Sequence, residues 1–252
     1  MTQTYQKKAL AMSPSERDGR LGVGIIGAGK VGPVLGAALA GAGHMLVGIS
    51  AISEESRERA HALLPDVPVM EVPRLVELAE LVLIAVPDAE LENLVAGLAA
   101  AEVWQPGQIV MHTSPYFGIE VLQPAVARGA IPLALHPAMT FTGTSVDLAR
   151  LADCYIAVTA PTPVLPIGQA LAVEMGGEPF VIPERQRPDY AEAIQTASQF
   201  SAAIVEQATT LLTQIGVERP GAVLAPLIRS SVDTALGKAG EATRLGFPEL
   251  ED

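Results

Sequence analysis

At 252 residues, with 49% hydrophobic against 17% charged side chains, the chain can bury a substantial core and exceeds the usual size of one domain. Its formal charge of −12 argues against nucleic acid and anionic membrane surfaces as partners, because like charges repel. No apolar run reaches the length that spans a bilayer. Residues 1–19 carry Lys7 and Lys8 but no signal-like apolar block. They read as a disordered tail, and a cytoplasmic location is the resulting expectation.

The first ordered signal is the apolar run that enters Gly27-Ala28-Gly29-Lys30-Val31-Gly32 and continues as a small-residue helix from Val34 to Ala42. A second strand, His44 to Ile49, completes a βαβ unit, the setting in which a G-x-G-x-x-G turn holds a dinucleotide. Gly27 permits the tight turn, Gly29 lets backbone approach a pyrophosphate, and Gly32 lets helix and sheet pack closely. Pro33 costs nothing at the helix start, where the N–H groups of the first turn lack partners and the dipole is positive. Lys30 and Val31 therefore join the three glycines as expected cofactor contacts. The alternative is a tight strand-to-helix turn that binds nothing.

The end of the second strand bears on which dinucleotide. An NAD site places an Asp or Glu there to bind the ribose hydroxyls, whereas this chain has Ser50, followed by Ser53 and Arg57. Hydroxyls and an arginine fork suit a 2′-phosphate, and the absent carboxylate removes a repulsion. NADP(H) is favoured over NAD(H). The competing reading of Arg57 and Arg59 is a solvated helix face laced by Glu54, Glu55 and Glu58.

Leu81 to Val86 is continuously apolar, as a strand covered on both faces should be. It delivers Val86 and Pro87 to the carboxyl edge, where open α/β sheets bind ligands; Asp88 reads as a cap for a helix beginning near Leu91. Gln108 to Met111 brings His112-Thr113-Ser114 to the same edge. Ile131 to Leu135 then brings His136-Pro137-Ala138-Met139-Thr140-Phe141-Thr142-Gly143. His136 is the first candidate proton donor, with Thr140 and Thr142 as possible orienting hydroxyls; His112 and Ser114 are its rivals. The structural alternatives are a His136 that holds loop backbone, and a Ser114 that binds substrate while His112 packs.

A strand from Cys154 to Thr159, in which Cys154 is a small core residue, a helix from Pro166 to Met175 and a strand from Glu178 to Ile182 finish the sheet. The expected architecture is an α/β, doubly wound, mostly parallel Rossmann sheet at 20–183, followed by a smaller all-α domain at 184–252. The boundary falls in the charged, proline-bounded link Pro183 to Pro188. From Asp189 to Ile215 apolar and small residues recur at alternating spacings of four and three, including Tyr190, Ile194, Ile204, Leu211 and Ile215. Such a helix suits a homodimer formed through the helical domain, or packing on its own subunit. No His, Cys and carboxylate cluster has metal-site spacing, and no G-x-S-x-G elbow suggests an acyl hydrolase.

The glycine turn, Ala85-Val86-Pro87-Asp88, His112-Thr113-Ser114 and above all His136-Pro137-Ala138-Met139-Thr140-Phe141-Thr142-Gly143 resemble a bacterial two-domain family. Its members have a Rossmann-like domain followed by the domain of unknown function 2520. The resemblance runs from Leu21 to about Gly240. The first half is similar to the 6-phosphogluconate-dehydrogenase-like group, with pyrroline-carboxylate reductase, ketopantoate reductase and deazaflavin-dependent NADP reductase. It implies an NADP-linked oxidoreductase but no particular substrate; the leading expectation is an enzyme acting on a small carbonyl or imine compound between the two domains. The alternative is a non-catalytic dinucleotide-binding sensor or regulator, because one fold hosts both. Relatives carry glycine where this chain has Pro115 and an Asn-His pair where it has Gln199-Phe200, and they usually extend further at the carboxyl end.

Overall fold

The structure is a computed structural model and describes residues 20–245; the tail expected at 1–19 lies outside the described residues. Two compact units are present, one ending at Ile194 and one beginning at Gln195.

In the first unit, strands β1 (Gly22–Ile26), β2 (Met45–Ser50), β3 (Leu81–Ile84), β4 (Ile109–His112), β5 (Ile131–Pro137), β6 (Tyr155–Thr159) and β7 (Glu178–Val181) form one sheet in the order β2-β1-β3-β4-β5-β6-β7. The first five are parallel. β6 pairs antiparallel with β5, and β7 runs parallel to β6. Beyond β2 a single parallel bridge joins Ile49 to Val69. That is where the 3-2-1-4-5-6 order of a doubly wound sheet has its third strand. Pro68 has no N–H to extend the ladder, and Pro73 follows within a turn. Chain connections diverge from β1 towards β2 on one side and β3 on the other, so the ligand crevice opens at the carboxyl ends of β1 and β3.

Helices α1 (Gly32–Gly41), α2 (Glu54–Leu63), α3 (Val72–Leu78), α4 (Asp88–Ala100), α5 (Gln123–Val126), α6 (Val146–Leu151) and α7 (Leu165–Glu174) cover both faces. Successive strand residues point to opposite sides. Leu81 and Leu83 join a core with Val34, Leu35, Leu133, Leu135 and Leu171, whereas Val82 and Ile84 join a second with Leu75, Leu91, Val95 and Trp104. Cys154 is buried immediately before β6. Asp88 is the first residue of α4 and makes no side-chain cap; Pro87 holds the cap position.

α8 (Arg187–Gln214) follows a 3₁₀ turn at Glu184–Gln186 and enters the first unit with its opening residues: Arg187 and Ala191 are buried. The compact unit thus reaches eleven residues past Pro183. The second unit holds the remainder of α8 and α9 (Pro220–Leu245). Their junction contains Gly216 at φ +86°, the left-handed conformation suited to ending a helix. The expected apolar stripe of α8 is exposed at Ile204 and Leu211, and Ile215, the expected end of the helix, lies exposed in the turn after it. Among the described residues, no helix is long and apolar enough to cross a membrane.

Candidate functional site

The turn out of β1 is built as a cradle. Gly27 adopts φ +103°, and a Cβ there would overlap the carbonyl oxygen of Ala85 at the end of β3. A Cβ on Gly32 would overlap the Gly27 carbonyl, so the start of α1 lies directly against the turn. Gly29 differs: nothing lies within 4 Å of a Cβ placed on it. No side chain caps α1, which leaves its N-terminal dipole free to meet an anion. These features fit a dinucleotide pyrophosphate.

Two concavities flank this cradle and share Val86 and Pro87 as a common wall. The larger, about 910 Å³, contains Gly27, Gly29, Ser50, Ser53, Ser56 and Arg57, with Ile52, Met70 and Glu71. The smaller, about 310 Å³, contains Lys30, Val31, Thr113, Ser114 and His136, with Asp88, Met139 and Phe141. Every expected site residue lines one of them except Gly32, which lies at the helix–strand contact, and His112, which is fully buried.

The hydroxyls of the larger cleft already have local work. The Gly27 N–H donates to Ser50 Oγ (3.1 Å), so Ser50 holds the glycine turn. Ser53 caps α2, its Oγ accepting from the Ser56 N–H (3.2 Å). Arg57 is exposed and meets Glu54 at 3.4 Å, a surface pair that contributes little. Arg59 donates to the Ala28 carbonyl (3.1 Å) and pairs with Glu55, so it braces the turn from outside.

The segment after β5 closes the other side of the turn. A Cβ on Gly143 would meet Arg59 Cδ and Nε at 3.0 Å and Lys30 Cα at 3.2 Å, so this loop reaches back from β5 to the turn after β1. Buried Asp147 fixes it, accepting from the N–H groups of Thr142 and Gly143 (both 2.8 Å) and from Thr142 Oγ1 (3.0 Å). Burial pushes the Asp147 carboxyl up, but the hydrogen bonds from Gly143 and Thr142 outweigh it and hold the group below its ordinary value. Thr142 therefore serves the loop through Asp147; its contacts show no link to His136.

At the smaller pocket His136 Nδ1 lies 2.8 Å from the Tyr190 hydroxyl on α8. His136 is pushed down to about 4, first by burial and then by the nearby charges of Arg187 and His112. Both His112 nitrogens serve backbone: Nδ1 accepts from the Ser114 N–H (3.2 Å), and Nε2 lies 2.7 Å from the Gly118 carbonyl. That pattern requires the Nε2–H tautomer. Burial foremost pushes His112 down to about 4 as well. Ser114 Oγ accepts from the N–H groups of Tyr116 and Phe117 (3.1 and 3.2 Å) and so shapes the loop it begins.

Sequence reasoning missed Arg187 and Tyr190 as site residues. Arg187 is fully buried. It donates from Nε to Thr159 Oγ1 (2.7 Å), from Nη2 to the Ala134 and Ala157 carbonyls (2.8 and 3.3 Å), and from Nη1 to the Ser114 carbonyl (3.4 Å). Its guanidinium lies 5.9 Å from the Tyr190 ring centroid. A signal was available: stepping the apolar stripe of α8 back three residues from Tyr190 lands on Arg187, a charge on the face that packs.

Comparisons with known proteins fit this geometry. Residues 7–137 match the family model of the Rossmann-like domain, and residues 154–244 match that of the domain of unknown function DUF2520. No curated protein matches the chain. Among solved structures, a Bacteroides fragilis protein named as a candidate NADP oxidoreductase aligns with a TM-score of 0.69 at 20% identity, over 85% of this chain and 80% of its own. An imine reductase from a Pseudomonas species aligns at 0.65 and 16% identity, over 90% and 78%. The Plasmodium falciparum pyrroline carboxylate reductase with NADP bound aligns at 0.60 and 10% identity, over 86% and 78%. At such identities the likeness is one of fold. With one model covering more than half of its length and a second most of the remainder, the chain belongs to the family of proteins that join a Rossmann-like domain to a DUF2520 domain.

Proposed function

We propose that the protein is an NADP(H)-dependent oxidoreductase that acts on a small carbonyl or imine compound. The observation that carries this reading is the pair of concavities meeting at Val86 and Pro87 across an open glycine cradle. The larger suits an adenosine moiety with its phosphate near Ser53, Ser56 and Arg57. The smaller suits a nicotinamide ring and a substrate beside His136. The solved structures of similar fold, among them reductases of imines and of pyrroline carboxylate, support the same class.

The cofactor would supply a hydride to the carbon of a C=O or C=N bond; the developing charge on oxygen or nitrogen must then be met by a proton. His136 is the group placed to meet it. At neutral pH it is uncharged; with the Tyr190 hydroxyl donating to Nδ1, Nε2–H would give its proton to substrate as Nδ1 takes one from Tyr190, which is reprotonated from solvent. Burial pushes the Tyr190 hydroxyl up to about 12, which keeps it protonated and able to donate. In this reading His112 and Ser114 shape the pocket wall rather than move protons.

Calorimetric titration of the purified protein with NADPH and NADH tests the cofactor assignment, with tighter binding of NADPH expected. Binding of neither would overturn it. The rival, a cofactor sensor, is favoured by Gln199-Phe200 standing where relatives carry Asn-His. It predicts NADPH binding with no oxidation across a screen of keto acids, aldehydes and imines, whereas the enzyme reading predicts turnover that His136→Ala abolishes. We further propose that the exposed apolar residues of the helical unit, including Phe200, Ile204, Leu211 and Leu227, form the interface of a homodimer.

A further inference from the structure

Three residues at the entry to α8, each three apart, hold both walls of the smaller pocket. Glu184 sits in the 3₁₀ turn, and Arg187 and Tyr190 stand in the first turn of α8; a spacing of three keeps side chains on one side of a helical turn. Tyr190 meets His136 on the β5 wall (2.8 Å). Arg187 donates to the carbonyls of Ala134 in β5 (2.8 Å) and Ser114 on the other wall (3.4 Å). Glu184 reaches the far end of the loop after β4, where its two carboxylate oxygens accept from the N–H groups of Ile119 (2.7 Å) and Glu120 (3.2 Å). A Cβ on Gly118 would overlap that carboxylate, so the loop closes on Glu184 with no side chain in between.

The loop depends on this attachment. From Ser114 to Gly118 it is folded on itself: Ser114 Oγ takes the Tyr116 and Phe117 N–H groups, and His112 Nε2 holds the Gly118 carbonyl. Those bonds fix its shape but not its place relative to β5. Among the described residues, the hydrogen bonds that tie residues 114–120 to a segment distant in sequence are those of Glu184 and Arg187. Glu184 makes the two shorter ones, and a carboxylate accepts stronger hydrogen bonds than a neutral oxygen does. Thr113, Ser114 and Pro115 at the start of the same loop line the pocket together with His136.

We propose that Glu184 is a positioning residue of this site: by clasping the N–H groups of Ile119 and Glu120 it fixes the β4 loop at the distance from β5 at which Ser114 and His136 share one pocket. The proposal rests on reading that pocket as the place of the nicotinamide ring. Glu184 lines a separate cleft, with Tyr116 and Phe117, so it acts through the loop and touches neither cofactor nor substrate. The effect of such a clasp is large for its size, because a displacement of about 1 Å spoils the alignment that hydride transfer needs.

The test uses the full chain and two variants, Glu184→Ala, which removes both acceptors, and Glu184→Gln, which keeps one oxygen. Without cofactor, amide hydrogen exchange at Ser114, Tyr116 and Phe117 should be at least about tenfold faster in Glu184→Ala, with β3 and β5 still protected and Glu184→Gln intermediate. With NADPH, the emission of the bound reduced nicotinamide should fall towards that of free cofactor in Glu184→Ala. Its Kd should stay within about threefold of wild type, since the glycine cradle and the larger cleft lie outside the loop. Faster exchange confined to Ile119 and Glu120 would mean that Glu184 caps a turn and positions nothing, and wild-type emission from bound NADPH would overturn the proposal equally. Where Glu184→Ala loses protection in β3 and β5, Glu184→Gln decides by the same readings. Failure of NADPH to bind the wild-type protein rejects the cofactor reading instead, and the exchange measured without cofactor still decides whether Glu184 holds the loop.

Discussion

The glycines of the turn have separable duties, and single substitutions should separate them. Gly29→Ala adds a methyl group to open space, so the protein should keep its thermal midpoint while NADPH affinity falls about tenfold or more, the backbone no longer approaching phosphate closely. Gly32→Ala drives a methyl into the Gly27 carbonyl and should cost about 1–3 kcal/mol of stability, as overpacking does; a wild-type midpoint would refute the close contact. Arg57→Ala should weaken NADPH by about tenfold through loss of a charge-assisted contact, with NADH little changed. Equal weakening of both would reject the 2′-phosphate assignment. The two buried histidines predict a pH effect on folding. Each falls from about 6.5 in the unfolded chain to about 4 in the fold, so between those values the unfolded state binds more protons. Stability should therefore be complete above pH 6.5 and decline as pH falls towards 4, by up to roughly 3 kcal/mol per histidine. Thermal unfolding across pH 4–7 should show a shallower slope for His112→Leu than for wild type, whatever the variant's absolute stability.

Among elements, the loop between β5 and α6 contributes most to the site for its length. It carries the run on which the family resemblance chiefly rests, and its physical role is to cross from β5 to the glycine turn, where Gly143 packs on Lys30 and Arg59. Asp147 is its anchor. Asp147→Ala removes the oxygen that accepts both the Thr142 and the Gly143 N–H, leaving them unpaired at a cost of about 1–3 kcal/mol. Faster hydrogen exchange at those two amides is the expected signature. Unchanged protection would mean that the loop is held by packing alone. α8 shows a second division of labour within one element: its first turn sets Arg187 and Tyr190 against Ser114 and His136, which line the pocket, and its later turns expose apolar residues.

At the scale of the molecule, that stripe bears on assembly. Ile204 and Leu211, exposed two turns apart on one face of α8, are the kind of apolar surface that marks an interaction site. Sedimentation at micromolar concentration should give a dimer, and Ile204→Lys with Leu211→Lys should give a monomer that retains the sheet; a wild-type monomer at all concentrations would sink the homodimer. Much of the Rossmann unit was legible in the sequence because its determinants are local. Continuous apolar runs mark strands covered on both faces, the glycine spacing marks the turn, and the order of strand and helix signals predicts the mostly parallel sheet. The segment at Val69 shows the limit of local signals, since a strand cut by prolines to a single bridge leaves no periodicity to read. The roles of individual polar groups were legible only in part. Ser50, Ser53 and Ser114 share one chemistry in the sequence, yet each hydroxyl answers a particular backbone N–H that only the folded chain presents. Arg187 lies 28 residues from Thr159 and 73 from Ser114. The sequence by itself determined which segments become the strands of the sheet and where the glycine turn after β1 forms, because those depend on neighbours along the chain. Only the tertiary structure decided which side chains face the pocket and which backbone group each polar side chain answers, because burial and pairing are set by residues distant in sequence.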